Sequence, residues 1–126
     1  MRRWLWLAAA AVIVIAVGVT LVALPRGQEW TSSSPEAVAE FQAGIDAQMK
    51  LYEDDARRHF RRALELDPDF VMAGLYTIDG FRHDGDEAMA EKLRGKILAA
   101  DLGALTPRER FFVERARARI EKRPDD

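Results

Sequence analysis

The sequence predicts an all-α protein in which one N-terminal transmembrane helix is followed by about five shorter helices packed as antiparallel pairs. Three observations support this prediction. The start of the chain contains a long uncharged apolar run, and the rest repeatedly places apolar residues three or four positions apart. No stretch alternates with the period of two that a strand requires. Short turns between the helices favour packing between sequence neighbours.

Residues 4–24 (WLWLAAAAVIVIAVGVTLVAL) form the apolar run, which has 21 residues, no charge and one hydroxyl, on Thr20. As a helix it would span roughly 30 Å, the thickness of a bilayer's hydrocarbon core. The run is longer than the apolar part of a signal peptide and does not end in a small-x-small cleavage site. We therefore expect residues 1–25 to be an uncleaved membrane anchor.

Tryptophans flank the apolar run, with Trp4 and Trp6 at its start and Trp30 beyond its end. This placement is typical of the aromatic belts at the two membrane interfaces, and we expect all three there. Two arginines precede the run, whereas the single arginine that follows is soon offset by Glu29. The positive-inside rule then predicts a single-pass protein of the cell (inner) membrane, with a cytoplasmic N-terminus and a periplasmic or otherwise extracytoplasmic domain.

The composition excludes several kinds of chemistry. The chain has no cysteine, so disulfides, Fe–S clusters, covalent c-type haem and a thiol nucleophile are ruled out. Without the three arginines around the apolar run, 16 basic and 21 acidic residues remain. Such a domain lacks the basic surplus that nucleic-acid binding uses. We expect no cofactor and no nucleic-acid partner.

Helix signals divide the remainder of the chain. Residues 26–34 are polar and serine-rich, and predict a short tether. Ser34 stands as an N-cap before a proline and predicts a helix over 35–50. A second helix is predicted over 54–66, where Pro68 ends it.

Three more helices are predicted over 70–81, 86–100 and 107–122, the last of which begins at the capping box TPRE. The turn HDGDE, residues 83–87, gathers a histidine with three carboxylates. It lacks the alternating ligands of a calcium loop and a second histidine at a zinc spacing, so we interpret it as a solvated turn. The chain also has no nucleophile elbow and no phosphate loop. We therefore expect no catalytic residues and no metal site.

The first two predicted helices and the turn after them contain five residues spaced by 12, 4, 3 and 5: Gly44, Ala56, Phe60, Ala63 and Pro68. This pattern resembles the tetratricopeptide repeat, a 34-residue helix–turn–helix unit. The resemblance implies that residues 35–126 form a short stack of such units. Residues 35–70 would be the first repeat, with these five positions defining the packing of its two helices.

The resemblance weakens further along the chain. Residues 71–104 resemble a degenerate second repeat, in which Ala90 keeps the first alanine position. Ile78 stands at the glycine position and Arg94 at the phenylalanine position, so we expect a shifted register or a short insertion or deletion. Residues 105–123 would be a capping helix or half of a further repeat.

The resemblance implies protein binding and no catalysis, because such repeats usually offer a groove lined by their first helices. The repeat register assigns five residues to this groove: Val38, Phe41, Ile45, Gln48 and Met49. Their apolar members are also candidates for the core, and the sequence leaves groove and core open for Phe41 and Ile45.

Two functions fit these expectations. The first is a membrane-anchored scaffold whose domain binds or stabilises a partner protein, such as an exported protein. The second is a structural accessory subunit of a large respiratory, secretory or photosynthetic membrane complex, held mainly by its transmembrane helix. Both make the lipid bilayer a partner through residues 4–24.

Overall fold

The computed structural model describes residues 29–122. Within this range the chain is helical, with five α-helices, one 3-10 turn and no strand, which confirms the all-α prediction. No helix within the described range has the length and apolarity needed to cross a bilayer. The predicted anchor over 1–25, the tryptophans Trp4 and Trp6 and the first residues of the predicted tether lie outside the described residues.

The helices begin and end within two residues of their predicted bounds: α1 is Pro35–Met49, α2 Glu53–Leu66, α3 Val71–His83, α4 Glu87–Ala99 and α5 Pro107–Lys122. The 3-10 turn Leu102–Ala104 precedes α5. Helix α1 packs along α2 and α3 along α4, while α2 contacts α3, and α5 contacts both α3 and α4. Only three residues join each pair, so the two helices of a pair run antiparallel.

Local sequence accounts for where the first and last helices begin. The Ser34 hydroxyl accepts a hydrogen bond from the Ala37 N–H at 3.1 Å and caps α1. At the start of α5, Thr106 and Glu109 form the reciprocal capping box. The Glu109 N–H donates to the Thr106 hydroxyl at 3.3 Å, and the Thr106 N–H donates to the Glu109 carboxylate at 2.9 Å.

A close contact between Gly44 and Phe60 sets the distance between α1 and α2. A Cβ added to Gly44 would lie 2.5 Å from Cε1 of the Phe60 ring, closer than real Cβ atoms approach carbon. Ala56 and Ala63 are buried beside this ring on α2. Of the five repeat-defining residues, Pro68 is the one that stays exposed. Its carbonyl accepts a hydrogen bond from the Lys96 Nζ at 2.9 Å.

Phe41 is the centre of the core. Its fully buried ring lies 4.9 Å from that of Trp30, 5.5 Å from Phe60, 5.1 Å from Phe70 and 5.3 Å from Tyr76, measured between centroids. We call these five rings the aromatic cluster. It joins α1, α2 and α3 with the segments that precede α1 and α3, and pairs at these distances add attraction beyond the buried area.

The turns after α1 and α3 repeat each other. Each contains one left-handed residue, Leu51 with φ 63° and Gly85 with φ 80°. In both turns its N–H bonds to the carbonyl three residues earlier at 3.0 Å, and the next N–H bonds to the carbonyl five residues earlier at 2.9 Å. This is the Schellman arrangement. Because 34 residues separate Leu51 from Gly85, the chain keeps a 34-residue register as far as the second turn.

Packing inside the second pair differs from the first. Gly74, one turn before the expected position, faces Leu93, and an added Cβ would lie 3.5 Å from a Leu93 methyl, an ordinary contact. Ile78 is buried where the glycine is expected, and Ala90 and Ile97 complete the buried face of α4. In the second pair the glycine contact is therefore shifted by one helical turn, while the turn between the two helices keeps the 34-residue spacing.

We expect Gly44→Ala to lower the free energy of unfolding by about 1–3 kcal/mol, because the new methyl overlaps a ring that the aromatic cluster holds in place. The control is Gly95→Ala in α4, where an added Cβ meets nothing within 4 Å. That change should raise stability by about 0.5–1 kcal/mol through helix propensity alone. Urea unfolding of the full chain in mild detergent, followed by helical circular dichroism, compares them. A gain in both variants would contradict the Gly44–Phe60 packing.

Candidate partner-binding surface

The segment before α1 is held against the helices, and we call residues 29–34 the strap. Trp30 is 3% exposed, with its ring edge-on to Phe41 and the Arg108 guanidinium 4.7 Å above it. The sequence predicts a membrane-interface position for Trp30 and a polar tether over 26–34. The described part of that tether is instead docked, and the Trp30 indole fills the core because the aromatic cluster and Arg108 enclose it.

A buried carboxylate fastens the strap to α5. Glu109 is fully buried, and its oxygens accept from the Thr31 N–H at 2.6 Å and from the Thr31 hydroxyl at 2.7 Å, in addition to the capping-box bond. The Thr106 hydroxyl donates to the Glu29 carbonyl at 3.2 Å, and Arg108 forms an ion pair with the Glu29 side chain. The start of α5 is therefore also the point where the chain enters the domain.

A second carboxylate fastens the other end of the strap. Asp67, buried after α2, accepts from the Ser32 hydroxyl at 2.6 Å, the Ser33 N–H at 3.1 Å and the Asp69 N–H at 3.1 Å. Burial acts to raise the pKa of Asp67, but the hydrogen bonds to its charged form outweigh burial and hold the pKa below its ordinary value.

The structure divides the predicted groove into two parts. Phe41 is fully buried, and Val38 and Ile45 are half-buried and packed against the core. The sequence leaves groove and core open for Phe41 and Ile45. Its complete burial assigns Phe41 to the core. Gln48 and Met49, at the end of α1, are exposed.

Large apolar side chains are exposed where α1 turns into α2. Met49 is 81% exposed, Leu51 82% and Tyr52 60%, and we call these three residues the apex. Leu51 has the left-handed backbone that costs a non-glycine residue roughly 1–2 kcal/mol. The sequence predicts only a turn here. Its one sign of an exposed apolar surface is the presence of two large apolar residues, Leu51 and Tyr52, where a turn favours glycine and polar residues.

A concave surface lies where α5 meets α3 and α4. It is an open cleft of about 170 Å³. Asp79 and Arg82, which line it, come 34 residues after the predicted groove residues Ile45 and Gln48. An apolar floor and a mainly basic rim make up its lining: Leu75, Ile78, Ala116 and Ile120, with Asp79, Arg82, Arg94 and Arg119.

The acidic turn at 83–87 uses its carboxylates in structural contacts. Asp84 pairs with Arg61, whose hydrogen bond holds the pKa of that carboxyl below its ordinary value. Asp86 caps α4 through the Met89 N–H at 3.1 Å. Within residues 29–122, no three histidine, aspartate or glutamate side chains are grouped so that they could hold a metal ion.

Comparison of the chain with protein-family models, curated proteins and solved structures finds no match in any of the three. The tetratricopeptide resemblance therefore stays a prediction, based on the sequence pattern and on the repeated turn geometry.

We expect the contribution of Asp67 to depend on pH. Because its pKa in the folded chain lies below the ordinary value of 3.8, its charged form stabilises the fold. This contribution is complete above that ordinary value, declines as the pH falls through it, and is lost below the folded-state pKa. Asp67→Asn should lower the free energy of unfolding by about 1–3 kcal/mol near neutral pH.

The gap between Asp67→Asn and the unchanged chain should narrow below pH 3.8, where the unfolded chain begins to take up the proton. Urea unfolding across the acid range measures it. Asp46→Asn, on the exposed face of α1, is the control and should show no such gap. A gap of constant size down to the most acid conditions would contradict the role given to the Asp67 charge.

Leu51→Gly should raise the free energy of unfolding by about 1 kcal/mol, because glycine adopts the left-handed Schellman position without a steric penalty. The reciprocal change, Gly85→Leu, places leucine in the equivalent turn and should lower stability by a similar amount. Thermal unfolding of the two full-length variants tests both. Destabilisation by Leu51→Gly would show that the leucine side chain supports the fold.

Proposed function

We propose that this protein is a membrane-anchored, non-catalytic scaffold whose helical domain binds a partner protein. Residues 4–24 span the cell membrane once, with the N-terminus in the cytoplasm and the helical domain in the periplasm or another extracytoplasmic space. The exposed apex is the observation that carries the proposal, and it is the partner-contacting surface. No cofactor takes part.

The apex supports partner binding for two reasons: its apolar side chains are exposed, and Leu51 has a left-handed backbone that is unfavourable for leucine. Single exposed apolar residues are ordinary, but Met49, Leu51 and Tyr52 are neighbours and all more than half exposed. A glycine at position 51 would serve the turn better, as Gly85 does in the equivalent turn. Leucine there presents an apolar side chain to the surroundings at a cost to stability, and strained backbone is often kept at functional positions.

The repeat resemblance, together with the geometry of the helix pairs, also supports partner binding. The two turns lie 34 residues apart with the same hydrogen bonds, and the first helix pair places Gly44 against Phe60. Stacked helix pairs present extended surfaces to peptides or to other subunits. The apex lies at the end of α1, where it includes the predicted groove residue Met49 and follows the exposed groove residue Gln48.

The strap favours a second candidate, the structural accessory subunit of a large membrane complex. Glu109 and Asp67 fasten the strap to the helices, so only residues 25–28 link the apolar run to a docked segment. A domain that is joined to its membrane helix by so short a link would hold a fixed position in an assembly. In that case the spanning helix makes the main contact.

The test is extraction of the full chain from its native membranes in mild detergent, followed by size separation and mass spectrometry. We expect a partner in stoichiometric amounts with the unchanged chain. The triple variant Met49→Gln, Leu51→Asn and Tyr52→Gln should lose it, because the apolar contact is removed while the turn tolerates asparagine. Leu98→Gln, which changes another exposed apolar residue, is the matched control and should keep it.

Two other outcomes decide between the candidates. A partner that survives the triple variant but is lost when residues 4–24 are replaced by polyleucine would support the accessory subunit and contradict the apex. A monomer for the unchanged chain would contradict both.

A further inference from the structure

The charge of the described domain is divided between α5 and the rest. Residues 107–122, which form α5, contain six basic and three acidic residues. Residues 29–106 contain nine basic and sixteen acidic residues. The domain is thus acidic overall, and α5, to which the strap is fastened, is its most basic helix.

One face of α5 is exposed along its whole length. Arg108, Phe111, Arg115, Ala118 and Lys122 follow each other at spacings of three and four and are all exposed. We call them the outer stripe. Phe111 is 55% exposed, and the Arg115 guanidinium lies 5.8 Å from the centre of its ring. The opposite face, which contains buried Val113, packs against the domain.

The chain enters the domain at the first residue of the outer stripe. Arg108 pairs with Glu29 and lies over the Trp30 ring. Residues 25–28 alone separate Glu29 from Leu24, the last residue of the apolar run. At about 3.5 Å per residue, these five steps span no more than about 17 Å.

We propose that the outer stripe lies on the anionic lipid surface of the membrane that residues 4–24 span. The inference rests on the proposed membrane anchorage and adds the orientation of the domain. Phe111 enters the interface between headgroups and acyl chains, while Arg115 and Lys122 contact lipid phosphates. A basic helix face with one aromatic residue has the chemistry of an interfacial helix, and basic residues near a bilayer are attracted by anionic lipids.

The short connection is the reason to choose lipid over a protein partner. The hydrogen bonds that Glu109 and Asp67 accept from the strap prevent it from acting as a long linker. If residues 4–24 span the membrane, the start of α5 is therefore held within about 17 Å of the end of the span. The apex lies in the turn between α1 and α2, where the exposed Lys50 is soon followed by the three acidic residues that begin α2, Glu53, Asp54 and Asp55. Two surfaces of different chemistry therefore serve two different contacts.

The absence of cysteine allows a direct test, because a single cysteine can carry an environment-sensitive fluorophore. Phe111→Cys places the label on the outer stripe and Met49→Cys places the control label on the apex. The full chain is reconstituted in nanodiscs of phosphatidylcholine, with or without phosphatidylglycerol, that contain a headgroup-labelled quencher lipid. We expect the label at 111 to lose most of its fluorescence in the anionic discs and the label at 49 to keep it.

Two further readouts depend on charge. At about 1 M salt the screening length falls to about 3 Å, and quenching at 111 should weaken. Adding Arg115→Gln and Lys122→Gln to the labelled chain should weaken it as well, while helical circular dichroism stays unchanged because both residues are exposed. Equal quenching at 111 and 49, or a label at 111 that is unquenched in anionic discs, would overturn the proposal.

Alkaline carbonate washing of vesicles that contain the full chain separates this inference from the anchorage. A chain that is washed off would contradict the membrane anchor and the outer-stripe contact together. A chain that resists washing, with an unquenched label at 111, would leave the anchor standing and overturn the lipid contact alone.

Discussion

The contact between Gly44 and Phe60 is the constraint on which the rest of the structure depends. Because Gly44 has no side chain, the Phe60 ring lies against the α1 backbone and the two helices approach closely. That approach lets Phe41 reach Phe60 and the rings of Phe70 and Tyr76 in the next layer. Trp30 then closes the cluster from the strap, so the helix pairs and the entering chain share one core.

Features that depend on near neighbours or on the repeat spacing were predictable from the sequence, and contacts of the strap with distant residues were not. The capping box joins Thr106 to Glu109, three positions apart, and the helix bounds follow from caps and periodicity. The sequence predicts a tether at the strap because most of its residues are polar. In the structure the strap is docked, because Thr31 donates hydrogen bonds to Glu109, 78 positions away, and Ser32 donates one to Asp67, 35 positions away.

The candidate site shows the same division. The repeat register places Phe41 and Met49 on one stripe, but it does not show that the aromatic cluster covers the first and leaves the second exposed. The strain at Leu51 is likewise a property of the folded turn. The two proposals use these features together: the docked strap would hold the start of α5 near the bilayer, and the exposed apex would offer apolar side chains to a partner. Glu109, Asp67 and the Gly44–Phe60 contact hold the arrangement together.

Photo-crosslinking in native membranes shows whether a protein contacts the apex, because it reports what touches this surface before any extraction. The full chain carries benzoylphenylalanine in place of Tyr52, or in place of Leu98 as the control, since both are exposed. We expect a discrete protein adduct from position 52 and none from position 98. No adduct at 52, together with adducts from positions within residues 4–24, would contradict this expectation and place the partner contact in the membrane.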